Sequence, residues 1–126
     1  MPRHHHVNLA FRPGQLDDQM RFLVEVLGYR ELDLTADTRA RAPRARWFEA
    51  EDGSQIHLSE DRDHRPAQAA HVAVEYDLDE LALVEQRLAS RSIAFSANDG
   101  GGGSVRVLIL NDPAGNRWEL RGPAFG

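Results

Sequence analysis

The chain has no cysteine, which excludes disulfides, thiolate metal sites and cysteine nucleophiles. It has no basic excess either. Its 15 Lys and Arg against 20 Asp and Glu give a net charge of −5, whereas a nucleic-acid surface needs a basic stripe. No apolar run nears the roughly 20 residues that cross a bilayer. Neither nucleic acid nor membrane is therefore an expected partner. The opening MPRHHHVNLAF lacks the long apolar segment and small-residue cleavage site of a signal peptide, so a cytoplasmic location is the expectation. Its three histidines are too few for a purification tag. The glycine-rich NDGGGGS, Asn98 to Ser104, lacks the Gly-Lys-Ser/Thr ending of a phosphate-cradling loop. It is expected as a flexible hairpin or a lid. What is present is ordinary globular composition, 41% apolar and 28% charged over 126 residues, enough for one domain with a real core.

The chain repeats itself. HVNLAF (His6 to Phe11) and HVAVEY (His71 to Tyr76) open alike, and a helical pattern follows each. The first helix is expected to bury Leu16, Met20, Leu23, Val24 and Leu27. The second is expected to bury Leu81, Val84 and Leu88, with Asp77 or Asp79 as its N-cap. Strand-like stretches come next: YRELDL, RARWFEA and SQIHLSE in the first half, SIAFSA, SVRVLIL and NRWELRG in the second. The turns Glu51-Asp52-Gly53 and Asp112-Pro113-Ala114-Gly115 precede the last strand of each half. DLTADTRARAP reads as a loop. The predicted architecture is α+β: one domain of two βαβββ modules, 4–60 and 70–122, joined by a linker over 61–69. Their sheets are expected to form a cupped mixed β cleft with the helices outside.

Side chains on a strand alternate between faces. Val7, Leu9 and Phe11 form the helix-facing set of the first strand, leaving His6, Asn8 and Ala10 opposite. Val72, Val74 and Tyr76 leave His71, Ala73 and Glu75 opposite. By the same rule His57 lies opposite Ile56 and Leu58, and Glu119 opposite Trp118 and Leu120. Four potential metal ligands, His6, His57, His71 and Glu119, therefore share the face away from the helices. A lone histidine on a polar strand face is usually just solvated. The matched positions in the two halves favour the metal reading for His6, His71 and Glu119. His57 fits a ligand or a substrate-facing role equally. Imidazole and carboxylate suit divalent Fe, Mn, Ni or Zn, and a set of two histidines and one carboxylate leaves positions open for substrate. His4 shares the face of His6 and could replace it, His5 points the other way, and His64 is solvated. Trp47 and Phe48 place one aromatic on each face of their strand, one for the core and one able to wall a pocket. Trp118 is core. Arg39, Arg41, Arg44 and Arg46 are either solvated charges or an anion-binding set.

The modules, with HHVNLAF, VLGY, QIHL, AHVAV and the closing DPAGNRWEL, resemble the vicinal oxygen chelate superfamily across nearly the whole chain. That superfamily includes glyoxalase I, extradiol dioxygenases, fosfomycin-resistance enzymes, methylmalonyl-CoA epimerases and bleomycin-binding resistance proteins. The resemblance implies a glyoxalase-like fold and ligands in the first and last strand of each module, which fall on His6, His57, His71 and Glu119. Glyoxalase I usually has glutamate where His57 stands, and the epimerases often have glutamine. The set His6, His71 and Glu119 resembles the triad of the dioxygenases and fosfomycin enzymes. The implied chemistry is metal-dependent capture of adjacent oxygens of a small substrate, in lyase, isomerase, thiol-transferase or dioxygenase form. In an isomerase version Glu119 or His57 is the candidate catalytic proton carrier, although a metal-bound group is a poor base until displaced. The alternative is a drug-sequestering, non-catalytic binding protein of the same fold. A homodimer is expected, with the modules pairing either within the chain or across the dimer. In the crossed arrangement one chain supplies His6 and His57 and the other His71 and Glu119.

Overall fold

The computed structural model describes residues 1–41 and 45–126, apart from the side chains of Asp37 and Thr38. The chain forms two compact units, Met1–Arg65 and Pro66–Gly126. The first contains β1 (His6–Phe11), α1 (Leu16–Arg21) continuing as a π-helical segment (Phe22–Leu27), β2 (Arg30–Glu31), α2 (Ala36–Arg41), β3 (Arg46–Glu49) and β4 (Gln55–Glu60). The second contains β5 (His71–Glu75), α3 (Leu78–Ser90), β6 (Ser96–Asn98), β7 (Val105–Asn111) and β8 (Arg117–Pro123). Each unit has one four-stranded mixed sheet, ordered β1-β4-β3-β2 and β5-β8-β7-β6. The fold class is α+β, and the two sheets are wired alike. First and last strands pair in parallel, and the remaining pairs are antiparallel.

The alternation expected from the sequence is displayed by β4, β5 and β8. In β1 only Phe11 is fully buried, and Val7, expected to face the helix, is 37% exposed. In the first unit Phe11, Phe48 and Leu58 are fully buried and Ile56 nearly so. In the second, Trp118, Leu120 and Leu108 of the sheet are fully buried, as is Leu88 of α3, whose Leu81 and Val84 are buried as well. Helix α3 starts where expected: the Asp77 carboxylate accepts the Glu80 amide at 2.8 Å, which satisfies an otherwise unpaired helix N–H.

Four local expectations are corrected, among them the strand SIAFSA, which is a strand only from Ser96 onward. Strand YRELDL shrinks to Arg30–Glu31, although the Leu32 amide still donates to the Trp47 carbonyl at 2.8 Å. The stretch read as a loop contains α2, whose Ala and Arg residues are strong helix formers. The first helix buries a different face. Val24 is 40% exposed, while Phe22, Val26 and the unexpected Gln19 are buried beside Leu23 and Leu27. A π-helical segment turns less per residue than an α-helix, so a face projected at α spacing misplaces Val24. Gly28, with φ +93°, ends this segment in the left-handed region.

The segment before β8 is held by a buried carboxylate. Asp112 is only 5% exposed. Its Oδ1 accepts the amides of Ala114 and Asn116 at 3.0 and 2.9 Å, and its Oδ2 accepts Trp118 Nε1–H at 3.0 Å. Gly115 completes the turn with φ +87°, and a Cβ there would stand 2.6 Å from Pro66 Cγ. The turn thus delivers β8 with Trp118 fixed in the core. Asp112→Ala strands three buried donors and is expected to cost about 3 kcal/mol, against about half that for Asp112→Asn, which keeps an acceptor oxygen. Urea denaturation of the two variants beside the native chain checks both values.

Candidate functional site

Directly paired residues share a sheet face, so the registers lay out each polar face row by row. In the first unit one row is Asn8, His57 and Trp47, and the next is His6, Gln55 and Glu49. His57 therefore sits diagonally from His6, with ring centroids 6.0 Å apart. The Trp47 indole stacks on the His57 imidazole at 3.9 Å with 4° between planes, and meets His6 edge-on at 4.9 Å. Phe48 is the core aromatic and Trp47 lies on the opposite, half-buried face, as the alternation required. Around them Ser59 Oγ donates to Asn8 Oδ1 at 2.7 Å, and Glu49 accepts from Arg30 at 2.8 Å and from Gln55 at 3.3 Å.

His57 Nε2 is buried without a hydrogen-bond partner among the described residues. Burial first, and the nearby charge of His6 second, hold this imidazole below its ordinary pKa of 6.5. Two histidine expectations are corrected. His5 does not turn away from His6: the two Nδ1 atoms are 2.9 Å apart in a hydrogen bond, one protonated and one accepting, because His5 precedes β1 and is free of strand alternation. His64 is not simply solvated; its Nε2 is buried and its carbonyl accepts Arg12 Nε–H at 2.8 Å. His4 also precedes β1.

In the second unit the rows are His71, Arg117 and Asn111; then Ala73, Glu119, Ile109 and Ser96; then Glu75, Arg121, Val107 and Asn98. Glu119 sits diagonally from His71, the same step that relates His57 to His6. His71 Nδ1 lies 2.9 Å from the Ala69 carbonyl. A carbonyl only accepts, so Nδ1 carries a proton, which leaves Nε2 as the ring nitrogen able to ligate. Glu119 Oε2 has Arg121 at 3.4 Å, and its side chain keeps 21% exposure. The alternation that places Glu119 on this face also places Arg117 and Arg121 there, a signal legible in GNRWELRG itself.

Each sheet thus brings together one donor pair, His6 with His57 and His71 with Glu119. Among the described residues no group of three or more His, Asp or Glu side chains stands ready to hold a metal ion. The donors themselves suit one. His71 has the backbone-anchored tautomer usual for metal-ligating histidine, and His57 Nε2 is a buried nitrogen lacking any other partner. The arginines divide: Arg39 lies 3.8 Å from Asp33 and Arg46 3.8 Å from Glu31, Arg41 is exposed at the end of α2, and Arg44 lies outside the described residues.

Two βαβββ-type units, each pairing its first and last strands in parallel, are the pattern of glyoxalase-like folds. The chain belongs to the Glyoxalase/Bleomycin resistance protein/Dioxygenase superfamily, whose profile matches residues 3–120. No curated protein matches the sequence. Solved structures share the fold. A protein of Bacillus anthracis described as glyoxalase family is 23% identical with a TM-score of 0.81, covering 98% of this chain and 96% of its own. A glyoxalase/dioxygenase from Nostoc punctiforme is 19% identical with a TM-score of 0.79, covering 98% and 92%. A mutant of the genomically encoded fosfomycin resistance protein FosX of Listeria monocytogenes, complexed with Mn(II) and 1S,2S-dihydroxypropylphosphonic acid, is 17% identical with a TM-score of 0.77, covering 98% and 93%.

Because folding lowers the His57 pKa, the unfolded chain binds the extra proton over the interval just below 6.5. Stability of the metal-free protein therefore falls as the pH drops from 6.5 through the lowered pKa, and this residue contributes no slope above that range. Thermal melts from about pH 7.5 to about pH 5 are expected to show a shallower decline for His57→Gln than for the native chain.

Proposed function

We propose that the chain is a metal-dependent enzyme acting on a small oxygenated molecule, with His6, His57, His71 and Glu119 as its candidate ligands for a divalent ion. The observation that carries this reading is the repeated diagonal: His6 with His57 on one sheet, His71 with Glu119 on the other, in the same register step. A solvated polar face has no reason to reproduce imidazole and carboxylate donors at matched positions of two modules. Fe, Mn, Ni and Zn all suit nitrogen and carboxylate donors. FosX, of the same fold, is complexed with Mn(II) and a phosphonic acid, which supports a divalent ion and a small oxygenated substrate for this chain too.

When bound, such an ion supplies Lewis-acid stabilisation of charge developing on a substrate oxygen. The protein's own groups do the positioning. Trp47 restrains the His57 ring by stacking, the Ala69 carbonyl fixes the His71 tautomer, and Arg121 lies beside the Glu119 carboxylate. In an isomerase version proton transfer would fall to Glu119 or His57 once displaced from the ion; the Glu119 side chain is partly exposed, while His57 Nε2 is enclosed. The working species is a homodimer in the cytoplasm.

Metal analysis after offering Fe, Mn, Ni and Zn tests the reading. The native chain is expected to hold one of them stoichiometrically, and Glu119→Gln to weaken it by at least about tenfold. Failure of the native chain to bind any of the four would overturn the enzyme reading in favour of a metal-free binding protein. Mixing a His6→Ala/His57→Ala chain with a His71→Ala/Glu119→Ala chain reads the pairing. Recovery of binding in the mixture means that a site draws one donor pair from each chain; no recovery means that both pairs come from one.

A further inference from the structure

The polar face of the second unit carries a groove of about 700 Å³, within the range of small-ligand sites. Its lining is divided by chemistry. Arg117, Asn111, Ser96 and Gln68 give it polar donors, and Ile109 and Phe95 give it apolar wall. In a chain with 20 acidic residues none lines this groove. Arg117 makes no ion pair among the described residues, and its one hydrogen bond runs from Nη1 to the Gln68 carbonyl at 3.2 Å. That bond tethers the guanidinium to the groove wall and leaves its remaining N–H donors without an acceptor among the described residues. The other arginines of the unit's sheet differ: Arg106 is held bidentately by Glu85, and Arg121 lies against Glu119.

We propose that this groove is an anion site that takes the carboxylate of a compact amphipathic molecule on Arg117. The guanidinium fork matches a carboxylate in shape and charge, with the Asn111 amide directly across the strand pair. The apolar part of the ligand then lies over Ile109 and Phe95. The register fixes what that means for the neighbouring donors. Arg117 is the direct partner of His71, and Ile109 is the direct partner of Glu119. A molecule anchored at Arg117 and running along Ile109 extends beside the His71 and Glu119 pair. Only this orientation rests on the metal reading; occupancy of the groove does not.

The test is an amide-resolved NMR titration of the EDTA-treated full chain with benzoate and with benzamide, its uncharged isostere. Benzoate is expected to bind saturably, shifting the amides of Ser96, Ile109, Asn111 and Arg117, and benzamide to bind about tenfold or more weakly. Arg117→Gln is expected to erase the difference between the two probes, and Arg117→Lys to keep part of it, both with the native chain's dispersed spectrum as the check on folding. Equal binding of the two probes by the native chain, or benzoate shifts confined to residues outside the groove, would overturn the proposal. So would an unsaturable response to benzoate. Because the protein is metal-free throughout, these outcomes are independent of whether the metal reading holds.

Discussion

The Asp112 carboxylate is the contact on which the chemistry of the second unit depends. It closes the turn after β7 through two backbone amides and catches the Trp118 indole with its other oxygen. A strand's side chains alternate, so a one-residue slip sends every side chain to the opposite face. Trp118 locked in the core therefore means Glu119 on the open face, together with Arg117 and Arg121. The DPAGN segment is a register device first. Its value to the site is that it makes the orientation of Glu119 non-negotiable.

The first unit reaches the same arrangement without that device. Its last strand follows the turn at Asp52, where the carboxylate accepts Ser54 N–H and Oγ–H at 2.9 and 2.7 Å. Here the register is secured by the buried Ile56 and Leu58 and by the parallel pairing of β4 with β1. Between the paired strands the units diverge freely, one holding α2 and the other the Gly100–Gly103 hairpin between β6 and β7. Both units keep the strand order and the parallel pairing of first and last strand, and that pairing sets the diagonal from His6 to His57 and from His71 to Glu119.

The polar faces of the two sheets, each taken by itself, differ in character. On the first sheet the donors are packed against an aromatic: Trp47 stacks on one imidazole and abuts the other. On the second the donors are anchored by polar contacts, to a carbonyl for His71 and to a guanidinium for Glu119. Aromatic packing restrains ring rotation and excludes water, whereas polar anchoring fixes a tautomer and leaves the group open to solvent. The open groove lies on the second sheet, with Arg117, which makes no ion pair among the described residues, in its lining.

Sequence alone determined which side chains share a face, because alternation is a local property with period two. Val7, Leu9 and Phe11 against His6 and Asn8, or Trp118 and Leu120 against Glu119, need no knowledge of the fold. The repeat, a helix capped at Asp77 or Asp79 and the turn before β8 were legible from local pattern too. The π-helical segment was not, since its wider turn breaks the spacing by which Val24 was assigned to the core. Nor were the neighbours of His57, the burial of His64, the folding of His5 onto His6 or the lone anchor of Arg117. Those depend on registers between strands far apart in the chain and on chain ends outside any strand. Only the tertiary structure, by packing each sheet onto its core in one register, decides which of the face-sharing residues touch.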